Sequence, residues 1–234
     1  MPHSANPPEP LWLELPPISP SAPGRLLVFL HGAGSTPEVF APVAIAWQLK
    51  FPGATAVILN APHESSTAQG RDWFDPSGIS TDRAPRVQQA SDEVAQQLAT
   101  LRRDTGLTAQ QTVVIGFSQG ATVALELARR HPQAAACVVS YAGQLATPVS
   151  DGERISTTIH LLHGEFDSVV PLVHAERAYR GLTAAGADVT LDIVEGEAHT
   201  IGQTMIVIGT GRLMQTIFRD RVGRTAAGRR RTLH

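Results

Sequence analysis

The sequence predicts an α/β domain with a mostly parallel central sheet and helices on both faces. Three observations predict it. Short apolar runs alternate with stretches of helical spacing from residue 25 to about residue 220. The run at 26–30, Leu-Leu-Val-Phe-Leu, has no polar alternation, as in a strand covered on both faces. Residues 116–120, Gly-Phe-Ser-Gln-Gly, sit between an apolar run and a helix-like stretch. That strand-turn-helix order places Ser118 on a sharp corner at the end of the sheet.

The elements follow in order. Residues 1–10 are rich in proline and polar side chains and read as a loose tail. Residues 11–15 alternate as a half-buried edge strand does, and 16–24 form a loop. After the strand at 25–30 comes His31-Gly32-Ala33-Gly34-Ser35, then a helix from Pro37 or Glu38 with Val39, Val43 and Trp47 on one face. Residues 54–60 are the next strand. The long loop 61–82 carries Trp73 and Phe74, and loops of that length are usually functional or mobile. From 85 to 103, Val87, Ala90, Val94, Leu98 and Leu101 keep helical spacing. The strand before Ser118 and the helix at 121–130 follow. Strands are expected at 135–141, 157–163 and 189–194, and helices at 171–185 and 204–219, the last weakened by Gly209 and Gly211. The expected organisation is a tail and edge strand over 1–24, one domain over 25–221 and a basic tail over 222–234.

Composition limits the function classes. With 234 residues, 42% hydrophobic and 17% charged, the chain is globular and long enough for one sizeable core. A formal net charge of −2 gives no reason to expect nucleic acid as a partner. Lys50 is the only lysine among 19 basic residues, and the Arg229-Arg230-Arg231 run reads as a solvated tail. Cys137 is the single cysteine, within a strand, so an internal disulfide is excluded and a cytoplasmic setting is expected. No secretion signal is recognised, and no apolar run approaches the roughly 18 residues of a membrane span, so no stable membrane insertion is expected. No Cys/His set has zinc-site spacing and no Gly-rich loop fits a nucleotide, so no metal and no cofactor is expected.

A serine hydroxyl needs a base to become a nucleophile, and the base needs an orienting acid. In this architecture they follow in the order Ser, acid, His. The loop 164–171 supplies two carboxylates, of which Asp167 is assigned the acid and Glu165 is the competitor. His199, in the loop 195–199, is assigned the base, while His163 reads as strand-end packing. Gln119 begins a helix with its backbone N–H unpaired, and Ala33 follows the apolar strand, so the two N–H groups are expected to form an oxyanion hole. Trp73 and Phe74 either line a substrate pocket or anchor the long loop to the core.

At these residues the sequence resembles the phospholipase/carboxylesterase family of α/β-hydrolases, which includes the acyl-protein thioesterases, and within it a branch of small bacterial serine esterases. The matching pieces are Leu30-His31-Gly32-Ala33-Gly34, Arg71-Asp72-Trp73-Phe74-Asp75, Gly116-Phe117-Ser118-Gln119-Gly120, His163-Gly164-Glu165-Phe166-Asp167 and 195–199. The resemblance implies an α/β-hydrolase fold, a Ser118/Asp167/His199 triad, an oxyanion hole at Ala33 and Gln119, and cofactor-free ester or thioester hydrolysis. The chain departs from the family pattern in Ser35, where Asp is frequent, Ser168, where Pro is common, and Ala198, where Gly is common. The last restricts the His199 loop if that position requires positive φ.

The expected function is therefore a serine esterase acting on small or exposed acyl groups, because the loop 142–156 is too short for a large cap domain. An acyl-protein thioesterase or lysophospholipase of the same family, an acyltransferase, and a non-catalytic protein that binds an acyl ligand are the competing readings. The expected partner is a small-molecule acyl ester or thioester, and the expected state is a monomer or homodimer.

Overall fold

The computed structural model describes residues 11–21, 24–66, 68–75 and 82–231, and the side chains of 220, 221 and 223–231 lie outside that description. The tail expected at 1–10 also lies outside the described residues, as do 76–81 of the long loop and the Arg229-Arg230-Arg231 side chains.

Seven strands form the central sheet: β1 (Trp12–Leu15), β2 (Arg25–Leu30), β3 (Ala54–Leu59), β6 (Thr112–Phe117), β7 (Cys137–Tyr141), β8 (Thr158–Gly164) and β9 (Val189–Val194). Their order is β1-β3-β2-β6-β7-β8-β9. β1 pairs antiparallel with β3, and every other neighbouring pair is parallel. Five helices pack around the sheet: α1 (Pro37–Gln48), α2 (Arg83–Thr105), α3 (Gln119–Arg130), α4 (Val173–Ala184) and α5 (Gln203–Arg231).

Side-chain alternation divides the core in two. Leu26, Val28 and Leu30 of β2 face one side, with Val87, Val94 and Leu98 of α2, Val123 and Leu127 of α3 and Leu182 of α4. Leu27 and Phe29 face the other, with Phe40, Ala44 and Trp47 of α1 and Met205 and Leu213 of α5. Both faces of β2 and β6 are thus covered, which is why their sequences are apolar without a polar phase. Parallel pairing puts the carboxyl ends of β2, β6, β8 and β9 along one edge, and the loops that leave them gather there.

Two segments differ from the sequence expectation. The loop 61–82 contains a two-stranded hairpin, β4 (His63–Glu64) with β5 (Arg71–Asp72), too short to carry a periodic signal. α5 runs on to Arg231 instead of stopping near 219, through a segment that has no proline. Gly209, read as a helix weakener, has a packing reason: a Cβ there would overlap the Tyr141 hydroxyl. The segment 142–157 between β7 and β8 has no helix or strand of its own, so it forms no cap domain over the sheet edge.

Candidate active site

Ser118 stands between β6 and α3 with φ 52° and ψ −112°. The corner is tight. A Cβ at Gly116 would press on the backbone of Ala121 at 2.6 Å, and one at Gly120 would overlap the carbonyls of Leu30 and His31. The Ser118 N–H donates to the Tyr141 carbonyl at 2.9 Å, which ties the corner to the end of β7.

The loops after β8 and β9 bring two side chains to this serine. His199 Nε2 lies 2.9 Å from Ser118 Oγ, and His199 Nδ1 lies 2.7 Å from Asp167 Oδ2. The other oxygen of Asp167 accepts the backbone N–H groups of Val169 and Val170 at 2.9 and 2.8 Å. The Asp167 side chain is fully buried, while His199 keeps 16% of its surface exposed. The Phe117 ring packs on the imidazole, with centroids 4.9 Å apart. Glu165, the competing carboxylate, is exposed and accepts the Gly196 N–H at 3.3 Å. His163 is buried, and its Nε2 donates to the Val170 carbonyl at 2.6 Å while lying 3.4 Å from Asp167 Oδ2. Burial pushes its pKa down, so at neutral pH it is an uncharged wall behind the carboxylate.

Ala198 is not among the residues with positive φ; the left-handed position in this loop is Gly196, at φ 73°. The alanine therefore leaves the His199 loop unrestricted. At the β2 end, the Gly34 N–H is taken by the Arg71 carbonyl and by Asp72 Oδ1, and the Ser35 N–H by the Gly32 carbonyl. Ser35 offers no carboxylate to this loop, and Asp72 supplies one from the hairpin. Among the described residues, no hydrogen bond has the N–H of Ala33 or of Gln119 as its donor.

Trp73 and Phe74 do not border the cleft beside His199. They are 2% and 3% exposed and belong to the α2–α3 side of the core. The cleft, of about 300 Å³, is lined instead by Gly32, Ala33, Val39, Phe40, Phe117 and Ile201 among others. The sequence gives no signal for this, because Val39 and Phe40 read as one more amphipathic helix.

A family model described as phospholipase/carboxylesterase matches residues 18–209. The chain belongs to this family. Esterase YpfH of Escherichia coli (strain K12) is 35% identical over 201 residues, covering 85% of this chain and 86% of that protein. Acyl-protein thioesterase 1 of Saccharomyces cerevisiae (strain ATCC 204508 / S288c) is 29% identical over 172 residues, 63% of this chain and 72% of that protein. Among solved structures, esterase PE8 superposes with a TM-score of 0.79 at 32% identity, covering 87% of this chain and 97% of that one. The seven-stranded sheet with its helices is the α/β-hydrolase fold of this phospholipase/carboxylesterase family.

Proposed function

We propose that this carboxylic ester hydrolase cleaves its substrate through Ser118, His199 and Asp167. Ser118 Oγ forms a bond to the acyl carbon as its proton passes to His199 Nε2. The oxyanion accepts the N–H groups of Ala33 and Gln119. The alcohol or thiol leaves with the proton from His199, and an acyl-enzyme remains. Water then adds to the acyl carbon, giving a proton to His199, and the acid departs as Ser118 regains its hydrogen. The Asp167 carboxylate holds the ring in place and stabilises the imidazolium.

The observation that carries this reading is the continuous hydrogen-bonded line from Ser118 through His199 to Asp167. The apolar cleft beside it suits a small or exposed acyl group, because Val39, Phe40, Val43, Phe117 and Ile201 offer hydrocarbon and little to hydrogen-bond. The likeness to a yeast acyl-protein thioesterase favours thioesters as a second substrate class, since the same acyl-enzyme serves both. Among the described residues no helix is long and apolar enough to cross a membrane. A single free, buried cysteine suits a reducing compartment, and the reading places the enzyme in the cytoplasm.

The test is fluorophosphonate labelling with mass mapping, together with p-nitrophenyl esters from acetate to palmitate and a matched thioester series. The expected result is an adduct on Ser118 and turnover of the short esters. Ser118→Ala is expected to lose both, with a drop in kcat of about 10⁴-fold or more. Because the base must accept the serine proton, kcat/KM should fall on the acid side of the pH profile, and a profile flat into acid would contradict His199 as base. Folded protein with neither adduct nor turnover would be a binding protein instead.

A further inference from the structure

The segment 72–74 touches both sides of the oxyanion site, and the chemistry proposed above assigns it no role. Its Asp72 is 2% exposed, and Oδ1 accepts the Gly34 N–H at 2.7 Å. The Trp73 indole Nε1 donates to the His31 carbonyl at 2.8 Å. The Trp73 backbone N–H donates to Gln119 Oε1 at 2.6 Å, and Gln119 Nε2 donates to the Phe74 carbonyl at 2.7 Å. Three consecutive residues thus hold the loop that carries Ala33 and the side chain of Gln119.

We infer that residues 72–74 brace the two oxyanion donors at a fixed spacing, and that Asp72 is the positioning residue of this brace; the inference rests on the hydrolase reading above. In the 32–35 loop, consecutive peptide groups point in different directions, and only one is needed by the substrate. Asp72 and the Arg71 carbonyl consume the Gly34 N–H, and the Gly32 carbonyl consumes that of Ser35. The bonds to the Gly34 N–H fix the Ala33–Gly34 peptide, and the Gly32 carbonyl, which accepts the Ser35 N–H and His31 Nδ1–H, fixes the adjoining Gly32–Ala33 peptide, whose Ala33 N–H is left for the substrate. Gly34 itself sits at φ 68°, so the loop depends on outside bonds to hold that geometry. On the other side, both polar atoms of the Gln119 amide are occupied by the Trp73–Phe74 backbone. The amide is therefore a strut and not a substrate contact, and only the backbone N–H of Gln119 remains for the oxyanion. A donor displaced by a few tenths of an ångström serves a ground-state carbonyl nearly as well but serves the tetrahedral oxyanion poorly.

The variants are Asp72→Ala, which removes the acceptor, Asp72→Asn, which keeps an acceptor oxygen, and Trp73→Phe, which removes only the indole N–H. Fluorophosphonate titration to its end point counts competent sites in each, and kcat and KM are then expressed per titrated site. Inhibition by a trifluoromethyl ketone, which forms a tetrahedral oxyanion on the serine, is measured alongside. In Asp72→Ala, kcat per site is expected to fall about 10²-fold, with KM within about threefold, and the ketone to weaken by a factor similar to that in kcat/KM. Asp72→Asn should recover at least about tenfold of the loss, and Trp73→Phe should show a smaller fall of the same kind. A loss of titratable sites with kcat per site unchanged would make Asp72 merely structural and overturn the inference. So would a ketone affinity that stays constant while kcat falls. If Asp72→Ala does not fold, the Trp73→Phe and Asp72→Asn comparisons decide the matter by the same two criteria. Absence of labelling on Ser118 in the unmodified enzyme would defeat the hydrolase reading itself, whereas normal labelling with an unaffected Asp72→Ala would defeat only the brace.

Discussion

At Ser118 the backbone holds φ 52°, which a non-glycine residue adopts only when its neighbours enforce it, at a cost of about 1–3 kcal/mol. The enforcement comes from close approach. α3 leaves β6 so abruptly that the backbone at Gly120 lies against the Leu30 and His31 carbonyls. Gly120→Ala is therefore expected to destabilise the protein by about 1–3 kcal/mol and to reduce activity beyond the loss of folded material, because the corner must open to admit the methyl. Urea unfolding and per-site kcat together check this. The Ser118, His199 and Asp167 line is legible in the sequence because each residue follows an apolar strand run, in the order that the proposed chemistry needs. Asp72 is not legible as a positioning group. A lone carboxylate in a loop looks solvated until the fold shows it buried against Gly34. Trp73 and Phe74 are ambiguous for a related reason: aromatic side chains in a long loop serve a pocket or a core equally well, and the fold shows these two packed in the core and lining a separate hollow with Arg86 and Glu93.

α3 is tied to the loop 142–157 by a charged cluster. Arg129, with a side chain only 7% exposed, meets Glu153 at 2.7 Å and Glu126 at 3.4 Å and donates to the Thr147 carbonyl at 3.0 Å. Burial pushes the Glu126 carboxyl up, while the Arg129 guanidinium holds Glu153 down. Arg129→Met would leave the buried Glu126 without the cation beside it. The expected cost is about 3–5 kcal/mol at pH 7, read from the urea midpoint. Glu126→Gln combined with Arg129→Met should recover part of it. Periodicity makes the strands and α2 readable to within two or three residues, since their buried positions repeat regularly. The β4–β5 hairpin is hidden because two residues cannot show a period. The end of α5 is hidden because helix stops are read from proline or a terminal glycine, and the segment after 219 offers glycines without a clean apolar boundary.

Across the whole molecule, buried histidines make stability depend on pH. His160 lies between Thr190 Oγ1 at 2.9 Å and Thr216 Oγ1 at 3.0 Å, and burial pushes its pKa from an ordinary 6.5 down to about 4. His163 and His31 are pushed down for the same reason. A folded pKa below the unfolded one means that the unfolded chain binds more protons in the interval between them. Stability is thus fully present above pH 6.5 and is lost as pH falls toward 4, with no further loss from this residue below that. At about 1.4 kcal/mol per pH unit, His160 alone withdraws about 3 kcal/mol across the interval. Stability from the urea midpoints should be lower by about 2 kcal/mol at pH 5 than at pH 7 from this residue, and His160→Gln should flatten the difference. The fold class was readable at this scale because alternation of strand and helix leaves few topologies, but the cleft was not, since it arises where α1 happens to pass the His199 loop. That wall has a separate consequence. Val39 is 70% exposed on the cleft side of α1, whereas Ala44 and Trp47 carry the packing and Phe40 takes part in both. On the proposed reading, the cleft wall and the framework that keeps the chain folded are thus largely different residues of one helix, meeting at Phe40. Acyl preference is free to drift by surface substitution under selection, and descendants of this protein should diverge in diet well before they diverge in shape.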